Sequence, residues 1–146
     1  MKKIIVFIGI LFTTLGGMTK ENIFVEGIDK LPLEAQYFVN EYLPKERVVY
    51  VKISRNIYGQ KKYLAVFSSG MKVKFNSNGT WVSMLSKQIG LPKSVIPQKI
   101  WEYVNELYFS ARIISIEKLR NKILKIALSN NKELYFYNNG IKIDQS

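Results

Sequence analysis

The chain repeats itself. The segment LPLEAQYFVNEYLPKERVVYVKI, starting at Leu31, returns as IPQKIWEYVNELYFSARIISIEK, starting at Ile96. Leu31 and Pro32 stand over Ile96 and Pro97, and Ala35 stands over Ile100. Phe38-Val39-Asn40-Glu41 stands over Tyr103-Val104-Asn105-Glu106, and Val48, Val49 and Val51 stand over Ile113, Ile114 and Ile116. Further on, YLAVFSSGMKVKFNSNG from Tyr63 returns as LKIALSNNKELYFYNNG from Leu124, and the offset falls from 65 to 61. The second copy therefore lacks four residues opposite residues 56–61, in a loop, where deletions are tolerated. Such a period means that one supersecondary unit is used twice.

Within each copy the periodicity changes once. Leu31, Ala35, Phe38, Val39 and Tyr42 recur at helical spacing, as do Ile100, Tyr103, Val104, Leu107 and Tyr108, so each copy opens with an amphipathic helix. Pro32 and Pro97 sit where a first-turn proline is accepted. Pro44 stops the first helix, and the second is expected to end near Ser110. Residues 48–54 and 113–118 are rich in β-branched side chains and read as strands. Residues 63–67 and 71–75 flank Ser68-Ser69-Gly70, and residues 124–128 and 133–137 flank Ser129-Asn130-Asn131-Lys132, giving two hairpins. Asn76-Ser77-Asn78-Gly79 and Asn138-Asn139-Gly140 are turns into short final strands at 80–84 and 141–144. The expected fold class is α+β, a tandem repeat of a helix packed on an antiparallel three- to four-stranded sheet. The expected domains are a signal peptide at 1–17, a linker at 18–29, and repeats at 30–88 and 89–146.

A helix covers one face of a sheet, so strand alternation sorts the remaining residues. Val49, Val51, Ile53, Tyr63, Ala65, Phe67, Met71, Val73 and Phe75 are assigned to the core of the first copy. Ile114, Ile116, Leu124, Ile126, Leu128, Leu134 and Phe136 are assigned to that of the second. The opposite face then carries Tyr50, Lys52, Lys62, Leu64, Val66, Lys72 and Lys74 from the first copy. From the second it carries Glu117, Ile123, Lys125, Tyr135 and Tyr137. Lysines interleaved with tyrosines suit a partner-binding surface as well as a plain solvated one. The candidate partner-binding residues are Tyr50, Lys52, Lys62, Lys72, Lys74, Lys125, Tyr135 and Tyr137. The lysines dominate the first copy and the tyrosines mark the second.

Composition narrows the chemistry. The chain has no cysteine and no histidine, which excludes the common zinc sites, cysteine nucleophiles and serine–histidine triads. No pair of its eleven acidic residues shows acid–base spacing, and no glycine-rich phosphate loop is present. No catalytic residue, metal ligand or cofactor site is assigned. At the N-terminus, Lys2 and Lys3 precede an apolar run over residues 4–15 and then Gly16 and Gly17, the order of a secretory signal. The run is too short to span a bilayer comfortably, and the alternative is an uncleaved N-terminal anchor. Without cysteine no lipid can be attached. The net charge of +11 falls to +9 once Lys2 and Lys3 leave. A basic chain is drawn to nucleic acid, anionic envelope surfaces or acidic partners, and export argues against nucleic acid.

The residues Leu31, Pro32, Ala35, Phe38, Pro44, Val48, Val51, Tyr63, Phe67, Gly70, Val73, Phe75, Gly79 and Trp81 form a pattern. Leu91, Pro92, Ile96, Pro97, Ile100, Tyr103, Phe136 and Gly140 continue it. This pattern resembles the PepSY-like, β-lactamase-inhibitor-like family of secreted bacterial proteins over nearly all of the expected mature chain. Phe109 stands where that family usually has proline, and Asn76 and Tyr137 stand where an acidic residue is common. The resemblance implies a helix-on-antiparallel-sheet fold, export across the inner membrane and no known catalysis, with an inhibitor-like use of the open sheet face. The expected function is that of an exported, periplasmic or extracellular, non-catalytic binding protein. It would hold an acidic protein, peptide or envelope component, or modulate an extracytoplasmic enzyme, with no membrane span in the mature chain. The alternatives are a structural envelope component and an anionic-polymer-binding module.

Overall fold

The computed structural model describes residues 7–9, 22–25 and 27–144. The expected signal segment and linker therefore lie outside the described residues, apart from β1 (Phe7–Gly9), β2 (Asn22–Val25) and the 3₁₀ turn Ile28–Lys30. Two units divide the chain, at 1–81 and 82–146. The first holds α1 (Leu33–Tyr42), β3 (Val48–Arg55), β4 (Lys61–Phe67) and β5 (Lys72–Phe75). Next comes β6 (Trp81–Leu85), and the second unit continues with α2 (Gln98–Leu107), β7 (Ile113–Leu119), β8 (Ile123–Leu128) and β9 (Glu133–Tyr137).

The α+β class stands, but the expected pair of separate three- to four-stranded sheets does not. The strands follow one another in chain order through a single antiparallel sheet, accompanied by two α-helices. The sequence repeat assigned β6 to the first copy as its last strand. In the structure β6 pairs with β7, through Ser83↔Glu117, Met84↔Ile116 and Leu85↔Ser115. A strand edge left unpaired exposes a row of backbone donors and acceptors, and pairing removes that liability. A repeat period identifies the strands but says nothing of which edges meet. The final strand expected at 141–144 is reduced to one bridge, Phe136↔Lys142.

Both helices start immediately after proline and end alike. Leu43 closes α1 at φ −129° and ψ 48°, its N–H donating to the Val39 carbonyl. Tyr108 closes α2 at φ −135° and ψ 45°, its N–H donating to the Val104 carbonyl. The second helix therefore stops three residues short of Ser110 without any proline. In the first unit Leu31, Ala35, Val39 and Leu43 face Val51, Ala65, Phe67, Met71, Val73 and Phe75, and all are buried. The Phe38 ring meets Phe75 edge-on at 6.0 Å. In the second unit Tyr103 meets the fully buried Phe136 edge-on at 5.4 Å. Such contacts add about 0.5–1.5 kcal/mol beyond the burial itself.

Four core assignments need correction. Val49 is 41% exposed, because a bulge between Val48 and Tyr50 interrupts the β3–β4 register. The same irregularity falls between Ile113 and Ser115, so Ile113 is buried and Ile114 only half-buried. A bulge inserts one residue and shifts the alternation from there on, which period-two reading cannot anticipate. Ile53 and Tyr63 are half-buried rather than buried.

The turn at Gly79 fixes the helix to the strands. Gly79 has φ +85°, and a Cβ there would lie 2.9 Å from the Ala35 nitrogen and 3.0 Å from both the Glu34 and Pro32 Cβ atoms. Gly70 has φ +89° with open space around it. Both Gly→Ala changes carry the left-handed backbone cost of roughly 1–2 kcal/mol, but only Gly79→Ala also forces apart the turn and the first turn of α1. Urea denaturation should show Gly79→Ala less stable than Gly70→Ala by at least about 1 kcal/mol; equal losses would mean the contact is soft.

Candidate functional site

The candidate face is built by pairing. Residues directly opposite across an antiparallel pair point to the same side of the sheet. The register Tyr50↔Val66, Lys52↔Leu64 and Ser54↔Lys62, continued by Leu64↔Lys74 and Val66↔Lys72, places these residues on one face. The intervening Val51, Ala65 and Val73 are fully buried on the other. Lys62, Lys72 and Lys74 are exposed, while Tyr50, Lys52, Leu64 and Val66 are half-buried. Leu64 thus lies between Lys52 and Lys74, and lysine stems can cover such aliphatic surface while the ammonium groups stay in water. The structure brings Tyr50, Lys52, Lys62, Lys72 and Lys74 together on three adjacent strands.

The second unit carries a different surface. Lys125 stands opposite Glu117 on β7 and Tyr135 on β9, and Ile123 stands opposite Tyr137. The Lys125 Nζ lies 3.5 Å from Glu133 Oε1, and the Tyr135 hydroxyl donates to Glu133 Oε2 at 3.3 Å. Sequence reading missed Glu133, although its position two residues before Tyr135 on the same strand places it on the same face. Lys125 and Tyr135 are thus drawn to one carboxylate. Tyr137 is 46% exposed.

The acidic residues are also distributed unevenly along the sequence. Between Glu46 and Glu102 the chain has no acidic residue, while Arg47, Lys52, Arg55, Lys61, Lys62, Lys72, Lys74, Lys87, Lys93 and Lys99 all fall there. Strands β3, β4 and β5 therefore carry cations and no carboxylate. The first unit's described acids all precede β3: Asp29 in the 3₁₀ turn, Glu34 and Glu41 in α1, and Glu46 in the loop after it. On the helix side of the second unit, burial lowers the proton affinity of the Lys118 ammonium, away from the candidate face.

A cleft of about 210 Å³ in the second unit is lined by Ile89, Leu91, Trp101, Phe109 and other residues, with Arg112 as its ionisable side chain, so it holds no acid–base pair. No three His, Cys, Asp or Glu side chains among the described residues stand together as a metal site would need. No helix among them is long and apolar enough to cross a membrane.

These features define a helix-bearing antiparallel-sheet protein with one basic sheet face. The family model "Putative beta-lactamase-inhibitor-like, PepSY-like" matches residues 61–144, more than half of the sequence, and the chain belongs to that family. The chain is also similar to two solved structures from Bacteroides species. One, from Bacteroides vulgatus, is described as "a putative periplasmic protein of unknown function". It is 26% identical, with a TM-score of 0.74 over 86% of this chain and 98% of that one. The other, from Bacteroides thetaiotaomicron, is described as "a putative calcium-regulated periplasmic protein". It is 29% identical, with a TM-score of 0.73 over 86% of this chain and 94% of that one. No curated protein matches. None of these descriptions names a catalysed reaction.

The Lys125–Glu133 pair is solvent-exposed, and such pairs contribute about 0–1 kcal/mol. Glu133→Gln should leave the melting temperature almost unchanged while raising retention on a cation exchanger, because Lys125 is then uncompensated. Unchanged retention would show that Glu133 does not set the charge of this face.

Proposed function

We propose that this protein is exported and works as a non-catalytic binding module, with the basic sheet face of its first unit holding an acidic protein or peptide segment. The observation that carries this reading is the cluster of Lys52, Lys62, Lys72 and Lys74 around Tyr50, Leu64 and Val66, on strands that contain no carboxylate. Apolar and aromatic atoms supply desolvated contact, and the surrounding ammonium groups supply orientation and fast encounter. The second unit's face, with Lys125 and Tyr135 gathered on Glu133, is a weaker anion binder, and Tyr137 offers it an aromatic contact. Export is supported by the order of charge, apolar run and small residues at the N-terminus and by relatives described as periplasmic. The binding role follows the inhibitor-like description of the family, applied to an acidic target rather than to a particular enzyme. The calcium regulation named for one relative is not carried over, since the described residues gather no carboxylate cluster.

Poly-glutamate serves as a probe of stated chemistry. The wild-type chain should bind it at low salt and lose affinity steadily toward moderate salt, as exposed charges are screened. Lys72→Glu with Lys74→Glu should weaken binding by at least about tenfold, that is about 1.4 kcal/mol, with the melting temperature held, because both side chains are exposed. Binding that ignores salt, or survives the double reversal, would remove the face from consideration.

A further inference from the structure

Five hairpins among the described residues use the same turn. In each, the first residue's N–H donates to the carbonyl four residues on, and the fourth residue's N–H donates back to the first residue's carbonyl. This holds for the turns starting at Asn56, Phe67, Asn76, Leu128 and Tyr137. The fourth residue is left-handed every time: Gly59, Gly70, Gly79, Asn131 and Gly140, at φ +78°, +89°, +85°, +68° and +88°. The backbone therefore makes the same demand at all five. The two central residues are free to vary, and four of the five pairs are Ser68-Ser69, Ser77-Asn78, Ser129-Asn130 and Asn138-Asn139. The fifth is Ile57-Tyr58.

Nothing in turn formation requires that exception. The Asn56 carboxamide oxygen accepts from the Tyr58 and Gln60 backbone N–H groups at 2.9 Å each, as Asn76 does for Asn78 and Thr80 at 3.0 Å each. The tip is fully organised without help from the apolar side chains. Ile57 is 66% and Tyr58 83% exposed, so they do not pack in the core either. The corresponding connection in the second unit is shorter and carries Arg120, Asn121 and Lys122. The tip is therefore the part of the first copy that the second lacks.

Its collar is cationic. Arg55 and Lys61 stand directly opposite each other at the neck of the hairpin, with Lys62 next, opposite Ser54. Like charges placed opposite are unfavourable unless an anionic surface compensates them. We infer that this hairpin tip docks on an anionic bilayer surface, with Ile57 and Tyr58 entering the interfacial layer and Arg55, Lys61 and Lys62 contacting acidic headgroups. An aliphatic and a tyrosine flanked by long cationic side chains match the layering of that interface. A convex two-residue tip cannot supply the roughly 800 Å² per partner of a stable protein contact, whereas a bilayer interface needs no complementary shape. The inference goes beyond the lysine face, with which the collar of the tip shares only Lys62.

The test uses the full chain with vesicles containing phosphatidylglycerol, against vesicles of phosphatidylcholine alone. Tyr58→Trp should show a blue-shifted emission on the anionic vesicles and quenching by lipids labelled near the headgroup. Attachment through any other part of the chain would leave that reporter unshifted and would overturn the inference. Ile57→Ser with Tyr58→Asn recreates the pair that the same turn accepts at Ser77 and Asn78, so the fold is kept, as circular dichroism can verify. This pair should lower vesicle affinity by about tenfold while leaving poly-glutamate binding intact, whereas Lys72→Glu with Lys74→Glu should do the reverse. No preference for anionic vesicles, an undiminished affinity of the tip variant, or a tip variant defective toward poly-glutamate instead would each overturn it.

Discussion

Strand side chains alternate, and among the described residues each unit has a single short α-helix to cover what it must bury. α1 has ten residues and is about 15 Å long, while the eight residues of β3 extend for roughly 27 Å. The helix covers one face and cannot cover even that face end to end. Ala35 and Val39 are buried along with Val51, Ala65 and Val73, and Phe38 seals against Phe75. In the row of Phe75, Ile53 and Tyr63 are only half-buried, and past them the β3–β4 hairpin stands clear. The basic sheet face and the exposed apolar tip both follow from this shortage of helix. One is the side the helix does not touch, and the other is the end it does not reach.

Turns then decide how the shortage is managed. A left-handed fourth residue closes each hairpin in the same way, so strand pairing is set locally and the central pair is left open to selection for other ends. At Gly79 and Gly140 the turn is pressed against the start of a helix, where a Cβ would lie 2.9 Å from the Ala35 nitrogen and 2.6 Å from the Lys99 Cβ respectively. At Gly59 and Gly70 the turn stands in open space. The same backbone device thus serves as a clamp on the helices in one pair of places and as a projecting tip in the other.

Much of this was legible. Helix faces, strand positions and hairpins follow from hydrophobic period and turn chemistry, and Ala35, Ile100, Phe75 and Phe136 occupy the buried positions that the period assigns. What failed has definite physical causes. A one-residue bulge at Val49 and another at Ile114 reverse the local alternation, and no residue type marks a bulge that uses a β-branched side chain. The β6–β7 pairing is a long-range choice between edges that local pattern does not encode. Simple alternation places Glu133 beside Tyr135 on β9 and on the same face as Lys125, a signal carried by neither the lysines nor the tyrosines alone. The Ile57-Tyr58 exception emerges only when the turns are superposed by their hydrogen bonds, since sequence alone shows the loop as an insertion.

Charge distribution ties the site to the fold. The first unit places its described acids before β3, at Asp29, Glu34 and Glu41 on helical turns and Glu46 in the loop after α1, and its cations mainly on the strands. Glu46 is engaged by the Ser69 hydroxyl at 2.7 Å. A helix is about 10 Å across, and the Debye length at physiological ionic strength is about 8 Å. Carboxylates on the outer side of α1 are therefore largely screened from an anion approaching the opposite sheet face, which meets the lysines almost undiluted. The overall excess of positive charge understates how basic that face is. In the second unit Glu117 and Glu133 stand on the sheet face itself, beside Lys125, at contact range where screening does little. Similar helix-and-strand patterns thus carry opposite electrostatic designs, and the difference lies in which side of the strand the few acidic residues were placed.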